Sequence, residues 1–125
     1  TQAFNELSID NFRVFCGSES FLLQNMKAGG AGCISATANV NPAAISSLCS
    51  AWQGEDAEQK QAGLDQIRNI FQSYPMIPAL KAATGICMKD SQWFRVRPPL
   101  TKLNNTQLSE LTAALSSARF QMPDI

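Results

Sequence analysis

The stretch Gly29-Gly30-Ala31-Gly32-Cys33-Ile34-Ser35-Ala36-Thr37-Ala38-Asn39-Val40-Asn41-Pro42 decides the fold, because its structural character changes three times along its length. The two leading glycines end a helix, since glycine adopts the left-handed backbone that closes a helix. The apolar run 32–36 is short and predicts a β-strand. Asn41 followed by Pro42 then predicts a new helix, with asparagine as the N-cap and proline at the first helical position.

The residues before this stretch show the same alternation of strand and helix. Residues 12–17 are a short β-rich run, and residues 21–28 have helical spacing. Both strand segments are apolar almost throughout, which is typical of parallel strands buried on both faces. We therefore predict a βαβα unit, preceded by the end of a helix over residues 2–8. Because two parallel strands make no stable sheet alone, the unit is expected to pack against further chain or to be a piece of a larger barrel.

The rest of the chain is predicted to be helical, so that the protein is α/β in its first part and mostly helical by residue count. After the helix that begins at Pro42, further helices are expected over about 55–74, from Pro78 to about Ile86, and over about 105–118, because apolar residues recur at spacings of three and four. Residues 91–103 contain prolines and are predicted to be extended. The predicted stripes are Ile45, Leu48, Cys49 and Trp52; Leu64, Ile67, Phe71 and Tyr74; Leu80, Ala83 and Ile86; and Leu108, Leu111 and Leu115.

Composition excludes several classes of function. Hydrophobic residues make up 45% and charged residues 16%, which indicates a globular core. Ten basic and ten acidic residues cancel and form no basic stripe, so we expect no nucleic-acid partner. No apolar run reaches the roughly 18 residues needed to span a membrane. The four cysteines form no CxxC pair and histidine is absent, so no metal site is expected; reduced thiols and a cytoplasmic location are favoured.

Several segments together resemble one family. The quoted stretch is similar to the last barrel strand of the dihydrodipicolinate synthase/N-acetylneuraminate lyase family of class I pyruvate-dependent aldolases, which reads like GVISVTANV. Gly17-Ser18-Glu19 falls where members carry Gly-Asp-Asp or Gly-Asp-Glu, and residues 78–83 and 96–100 resemble the family's PIKAAL and VRPPL segments. The resemblance implies the C-terminal part of a (β/α)8 TIM barrel. Residues 1–52 would be its last two βα units, and residues 53–125 its C-terminal helical extension.

The resemblance also implies a reaction. In the family, a lysine forms a Schiff base with pyruvate, which then adds to an aldehyde or is released from a 2-keto-3-deoxy sugar acid, or a related dehydration occurs. No metal or organic cofactor is expected. That lysine lies on the sixth strand, so it is expected upstream of Thr1, as is the family's proton-relaying tyrosine. None of the five lysines here falls on a predicted strand, and Tyr74 lies on an apolar helical stripe. The chain alone is therefore expected to be inactive.

Four positions match family residues that bind substrate. The backbone of Gly17 would lie beside the pyruvate carboxylate, although a glycine that serves only the turn is an equal alternative. Ile34 would line the pyruvate pocket while also packing in the barrel. Glu19 would contact hydroxyls of a sugar-acid substrate, or it is a first-turn glutamate favoured by the helix dipole. Ser18 replaces the usual aspartate, which leaves sugar-acid aldolases and dehydratases open.

Two other functions stay open at this point. The chain could be a non-catalytic helical module that assembles with itself or with a partner, since the family's extension often takes part in oligomer packing. It could also be a stand-alone pseudoenzyme. In either case a homo-oligomer is expected, because two strands with apolar faces would expose a patch that drives association.

Overall fold

Helices dominate the residues that this computed structural model describes, which are 2–7 and 9–122. In chain order the elements are α1 (Gln2–Asn5), β1 (Phe15–Cys16), α2 (Leu22–Lys27), β2 (Gly32–Cys33), α3 (Pro42–Ser50), α4 (Ala57–Gln72), α5 (Met76–Met88) and α6 (Asn105–Ser117), with single 3-10 turns at Glu19–Phe21, Ala36–Asn39 and Ser91–Phe94. The prediction of an α/β first part followed by helices is confirmed. The prediction for Ser8 and for residues 123–125 lies outside the described residues.

The two strands are parallel neighbours, as predicted, but they are shorter than the runs 12–17 and 32–36. Phe15 pairs with Gly32 and Cys16 with Cys33. One further backbone hydrogen bond flanks the pair on each side, from the N–H of residue 31 to the carbonyl of residue 14 at 2.8 Å and from that of Ile34 to the carbonyl of Cys16 at 2.9 Å. Among the described residues each strand has a single strand neighbour, so the ladder has nothing to extend it.

The expectation that both faces of the strands are buried is wrong for the described residues. Cys16 is 1% exposed, whereas Phe15 is 48% and Ile34 74% exposed. Successive side chains of a strand point to opposite faces. The helices that the structure describes cover one face of the pair and leave the other open.

Asn25 of α2 fastens the helix to both strands. Its side-chain amide is buried and donates to the carbonyl of Val14 at 3.2 Å and to that of Gly32 at 2.9 Å. The chain leaves α2 through Gly29, whose φ of +83° is the left-handed conformation predicted for a glycine that ends a helix. Gly30 then passes so close that a Cβ there would lie 2.3 Å from the Asn25 side chain, so any larger residue would force the Asn25 amide to move.

Prolines mark the starts of two later helices. The predicted start of α3 is confirmed, with Asn41 as the N-cap residue and Pro42 at the first helical position. The predicted start of α5 at Pro78 is wrong, since the helix begins at Met76 after Pro75. The first backbone N–H groups of a helix have no intrahelical acceptor, so a proline at the third position removes no hydrogen bond.

The last helix begins as the sequence predicts, at Asn105. Asn104 caps it reciprocally: its side chain accepts from the Gln107 N–H at 2.9 Å, and the Gln107 side chain accepts from the Asn104 N–H at 3.0 Å. The segment before it is not extended throughout, because Asp90 accepts a hydrogen bond from the Gln92 N–H and starts the turn Ser91–Phe94. Within the described residues, no helix has both the length and the apolar character that a membrane crossing requires.

Two groups of buried side chains form the core. The strand-side cluster consists of Cys16, Leu22, Leu23, Ile45, Leu48, Ala57 and Leu64. The helical cluster consists of Val40, Ile67, Phe71, Ala79, Leu80, Ala82, Ala83, Leu111 and Leu115. Each cluster draws residues from both sides of residue 52. Helix α4 joins them, because Leu64 belongs to the first cluster, and Ile67 and Phe71 belong to the second.

Candidate functional site

The carboxyl ends of the two strands bring the four predicted substrate-binding positions together. Gly17, Ser18 and Glu19 follow β1, and Ile34 follows β2. Because the strands are parallel and Cys16 pairs with Cys33, Gly17 and Ile34 leave the same edge of the sheet side by side. This edge is where active sites lie in (β/α)8 barrels. We call this group the strand-end site.

Gly17 and Ile34 form the open part of the strand-end site. Ile34 is 74% exposed, the highest value among the large exposed hydrophobic side chains that the structure describes. A Cβ added to Gly17 would meet nothing within 4 Å, and the φ of Gly17 lies outside the left-handed range. Neither the described packing nor the backbone conformation therefore requires a glycine at position 17.

Ser18 shapes the turn that follows β1. Its backbone is extended, with φ −147° and ψ 137°, and its side-chain oxygen accepts a hydrogen bond from the Ser20 N–H at 3.3 Å. The backbone carbonyl of Ser18 also accepts from the Cys16 thiol at 3.2 Å. Ser18 thus acts as the N-cap of the 3-10 turn Glu19–Phe21. In this turn the side chain of Glu19 points into the protein.

Glu19 lies inside the protein, only 1% exposed. Its carboxylate accepts hydrogen bonds from the hydroxyl groups of Ser35, at 2.5 Å, and Thr37, and it pairs with the Nη1 of Arg68 at 2.8 Å. We call these four residues the Glu19 network. Arg68 comes from α4, and Ser35 and Thr37 come from the turn after β2. The network therefore ties both strand-end turns to a helix that follows much later in the chain.

The charge of Glu19 is stabilised although the residue is buried. Burial acts to raise the pKa of the Glu19 carboxyl, but the hydrogen bonds from Ser35, Thr37 and Arg68 outweigh this effect, and the pKa lies below its ordinary value. Glu19 is accordingly an anion at neutral pH. Both of its oxygens are engaged, Oε2 with Ser35 and Arg68 and Oε1 with Thr37.

A second residue of α4, Gln61, supports the same turn. Its side-chain amide N–H group donates to the backbone carbonyl of Glu19 at 3.0 Å, and its oxygen accepts from the Leu23 N–H at 3.0 Å. Gln61 and Arg68 were not predicted from the sequence, since both are polar residues beside the apolar stripe of a helix and belong to no motif. Ser35 and Thr37 had a detectable signal, because they alternate within an otherwise apolar run.

The cysteines near the strands are not reactive thiols. Cys16, Cys33 and Cys49 are free thiols, as is the exposed Cys87. Burial raises the pKa of the Cys16 and Cys49 thiols and raises that of Cys33 to about 11. A thiol must ionise to attack a substrate or bind a metal, so these groups stay protonated and inert at neutral pH. The described residues contain no group of three or more potential metal ligands.

None of the five lysines follows a strand. Lys27 ends α2 and pairs with Glu58 at 2.5 Å, and Lys60 pairs with Asp56 one helical turn away. Lys81 lies in α5, Lys89 ends it with a left-handed backbone, and Lys102 precedes α6. No lysine therefore adjoins the strand-end site.

Comparison with known proteins places this arrangement in a family. The sequence model of the Dihydrodipicolinate synthetase family matches residues 2–118. The chain belongs to the dihydrodipicolinate synthetase family. The chain is 36% identical over 111 residues to the 4-hydroxy-tetrahydrodipicolinate synthase of Citrifermentans bemidjiense, a match that covers 85% of this chain and 37% of that protein. It is 30% identical over 114 residues to Escherichia coli YagE, which bears the provisional name 2-dehydro-3-deoxy-D-gluconate aldolase, with 87% of this chain and 37% of that protein covered.

Solved structures of the dihydrodipicolinate synthetase family have the same fold over this length. The structure of E. coli YagE in complex with pyruvate superimposes with a TM-score of 0.76 at 28% identity, covering 88% of this chain and 38% of that one. The dihydrodipicolinate synthase DapA-2 of Bacillus anthracis superimposes with a TM-score of 0.82 at 21% identity, covering 98% of this chain and 41% of that one. The chain thus spans little more than a third of the length of these relatives.

Proposed function

We propose that this chain forms the last two βα units and the helical extension of a Schiff-base lyase barrel. Residues 1–52 would supply the barrel units and residues 53–125 the extension. The complete barrel would join pyruvate to an aldehyde, or release pyruvate from a 2-keto-3-deoxy sugar acid. Membership of the dihydrodipicolinate synthetase family supports the reaction class. The relatives, a synthase and an aldolase by name, keep both substrate classes open.

The chemistry requires a lysine that this chain does not offer at the strand ends. A neutral amine attacks the ketone carbon of pyruvate, water leaves, and the protonated imine accepts the electrons that are released when a carbon–carbon bond breaks. Such an amine must be partly desolvated so that it can lose its proton. Lys27 and Lys60 pair with Glu58 and Asp56 on helices away from the strand ends, and the other three lysines lie on or beyond α5. We therefore propose that the Schiff-base lysine of the complete barrel is not one of these 125 residues.

One observation carries the proposal: Gly17 and Ile34 lie side by side at the carboxyl end of the strand pair, and both are open. A glycine that neither its backbone conformation nor its described neighbours require is explained by a ligand that approaches its backbone closely. An isoleucine that is 74% exposed offers an apolar wall beside it. The carboxylate of pyruvate would lie against the backbone of Gly17 and its methyl group against Ile34.

Glu19 has a different place in this proposal from the one the resemblance implies. Its carboxylate is buried and engaged by Ser35, Thr37 and Arg68, so we propose that it holds the walls of the pocket. Contact of Glu19 or Ser18 with substrate hydroxyls stays a prediction. It requires that the carboxylate exchange one of these partners for the substrate.

Trapping of the imine tests the proposed function. We would incubate the chain with pyruvate and borohydride and measure its intact mass. In parallel, a chimera would join the upstream part of the C. bemidjiense synthase to residues 1–125. We expect no adduct on the chain alone and a stoichiometric adduct on the chimera. An adduct on the chain alone would place the nucleophile among its five lysines. A chimera that folds, binds no pyruvate and forms no adduct would refute the assignment of residues 1–52 to the barrel.

A second candidate function is a non-catalytic module that assembles through its open face. Its support is the set of large hydrophobic side chains exposed within the first 34 residues: Phe4, Leu7, Ile9, Phe12, Phe15, Phe21 and Ile34. Self-association is expected under both candidates, since apolar side chains that lack their barrel neighbours or a partner promote association. Sedimentation at micromolar concentration tests this expectation. A chain that sediments as a monomer would count against both candidate functions and would indicate a free-standing domain.

A further inference from the structure

A cleft in the helical extension has the size and lining of a small-molecule site. It lies between α5, the turn Ser91–Phe94 and the start of α6, and its cavity volume is about 390 Å³. Pockets that bind small ligands have volumes of about 300–1,000 Å³. The cleft shares no residue with the strand-end site, so what it binds is independent of the proposed lyase function.

The floor of the extension cleft is apolar. Pro78 and Ala82 of α5 are buried there, and the half-buried Phe94 and Leu108 form its sides. Phe94 and Leu108 also pack against the helical cluster, so the floor rests on well-packed core. A ligand that enters the cleft therefore removes apolar surface from water without having to displace a charged group from the floor.

The rim of the extension cleft is positively charged. Arg95 and Lys102 line it, and none of its lining residues is acidic. Neither of these two cations has an ion-pair partner among the described residues. The cleft between α2 and α4 differs in this respect, because Lys27, which lines it, is paired with Glu58 in the same lining.

We propose that the extension cleft binds a small amphipathic anion, a carboxylate carried on an apolar or aromatic body. The body would lie on the floor formed by Pro78 and Ala82, between the sides formed by Phe94 and Leu108. The carboxylate would pair with Arg95 and Lys102 at the rim. Because the lining holds an arginine and a lysine and no acidic residue, it favours an anion over a neutral ligand, since a charge-assisted hydrogen bond is stronger than a neutral one.

Hydrocinnamate, a phenyl ring on a short carboxylate chain, is the probe for the test. Equilibrium dialysis of the 125-residue chain would measure its affinity, and amide chemical shifts would locate it. We expect saturable binding that weakens as ionic strength rises. Shifts should centre on residues 78–82, 91–95 and 102–108. The uncharged analogue hydrocinnamamide should bind more weakly by about tenfold, the loss expected for one charge-assisted interaction.

Matched variants assign the effect to the two cations. Arg95→Gln and Lys102→Gln change exposed side chains, so the fold should be retained. Each should weaken hydrocinnamate binding, and together they should weaken it by about tenfold or more. Arg97→Gln removes an exposed cation two residues from Arg95 that does not line the cleft, and it should leave the affinity unchanged.

Three results would overturn the proposal. The first is no binding of hydrocinnamate at millimolar concentration. The second is binding of the charged probe and its amide with equal affinity. The third is a set of shifts confined to Phe15, Ile34 and their neighbours, which would mean that the probe adheres to the open face of the strands. Because no step of the test requires a Schiff base, its outcome is separate from that of the imine trapping.

Discussion

Replacement of Arg68 by methionine is the sharpest test of how the strand ends are held. The variant leaves the carboxylate of Glu19 buried without its counter-charge, while the methionine stem keeps much of the packing of the arginine. Loss of one partner from a buried ion pair costs about 3–5 kcal/mol in the free energy of unfolding. Glu19 keeps its hydrogen bonds from Ser35 and Thr37, which places the expected loss near the lower end, about 3 kcal/mol.

One feature of Arg68 reduces the loss further. Its Nε atom is buried and has no hydrogen-bond partner among the described residues, so the native pair already includes an unsatisfied group. Methionine removes that group. Glu19→Gln should cost less than Arg68→Met, because the amide oxygen can still accept from Ser35 and Arg68, while the amide NH2 can donate to the hydroxyl oxygen of Thr37. The double variant Glu19→Gln/Arg68→Met should lose less than the sum of the two single variants, since no buried charge remains in it.

The free energy of unfolding of the native chain and of Arg68→Met should depend on pH in a direction that can be measured. The pKa of Glu19 is lowered in the folded chain, so the residue adds stability above the ordinary carboxyl pKa of about 4.3, and this stability is lost as pH falls through the lower, folded value. Without Arg68 the pKa of Glu19 rises. The difference in unfolding free energy between the native chain and Arg68→Met should therefore be largest near neutral pH and should shrink as pH falls from the raised pKa of Glu19 in the variant to its lowered pKa in the native chain.

Urea denaturation followed by tryptophan fluorescence is the assay, because Trp52 packs against the strand-side cluster. Arg95→Met is the matched control, since it makes the same chemical change at an exposed arginine without an ion-pair partner among the described residues. It should change stability by less than about 0.5 kcal/mol. A loss of less than about 1 kcal/mol for Arg68→Met at neutral pH, with a difference from the native chain that does not change with pH, would refute the stabilising role of the Arg68–Glu19 pair.

Three further substitutions test other parts of the structure by the same denaturation assay. Gly17→Ala should leave stability unchanged or raise it by about 0.4–1 kcal/mol, because its backbone and surroundings accept a Cβ; a clear destabilisation would mean that packing requires this glycine. Gly30→Ala should cost about 1–3 kcal/mol, because a Cβ there displaces the Asn25 amide from its two carbonyl partners; a neutral effect would show that Asn25 does not fasten the strands. Asn104→Ala removes the capping box of α6 and should cost about 1 kcal/mol, whereas Asn105→Ala, one residue inside the helix, should not.

Local patterns in the sequence determined most of the helices. Apolar residues at spacings of three and four predicted the buried stripe of α4, where Leu64, Ile67 and Phe71 lie in the core. Asn41-Pro42 located the start of α3, because a capping residue acts on the backbone only a few positions away. The one wrong helix start, at Pro78, has the same kind of cause. Proline is tolerated anywhere in the first turn, so it marks a helix start only to within two or three residues.

The strands were predicted less well, since their extent depends on neighbours. The apolar runs 12–17 and 32–36 correctly predicted a parallel pair, but a pattern cannot state how many strands lie beside it. Among the described residues each strand has one neighbour, so the ladder is short and Phe15 and Ile34 remain open.

The sequence by itself determined the family, the order of the elements and the four positions that meet at the strand ends. The tertiary structure alone decided what surrounds them. Glu19 pairs with Arg68 across 49 positions of sequence, and Gln61 reaches the Glu19 carbonyl across 42. The physical reason is that a hydrogen bond or ion pair depends on distance in space, while a sequence pattern records distance along the chain. The sequence therefore left Glu19 open between contact with substrate hydroxyls and a first-turn helix glutamate, and the structure shows its carboxylate buried between two turns and a helix.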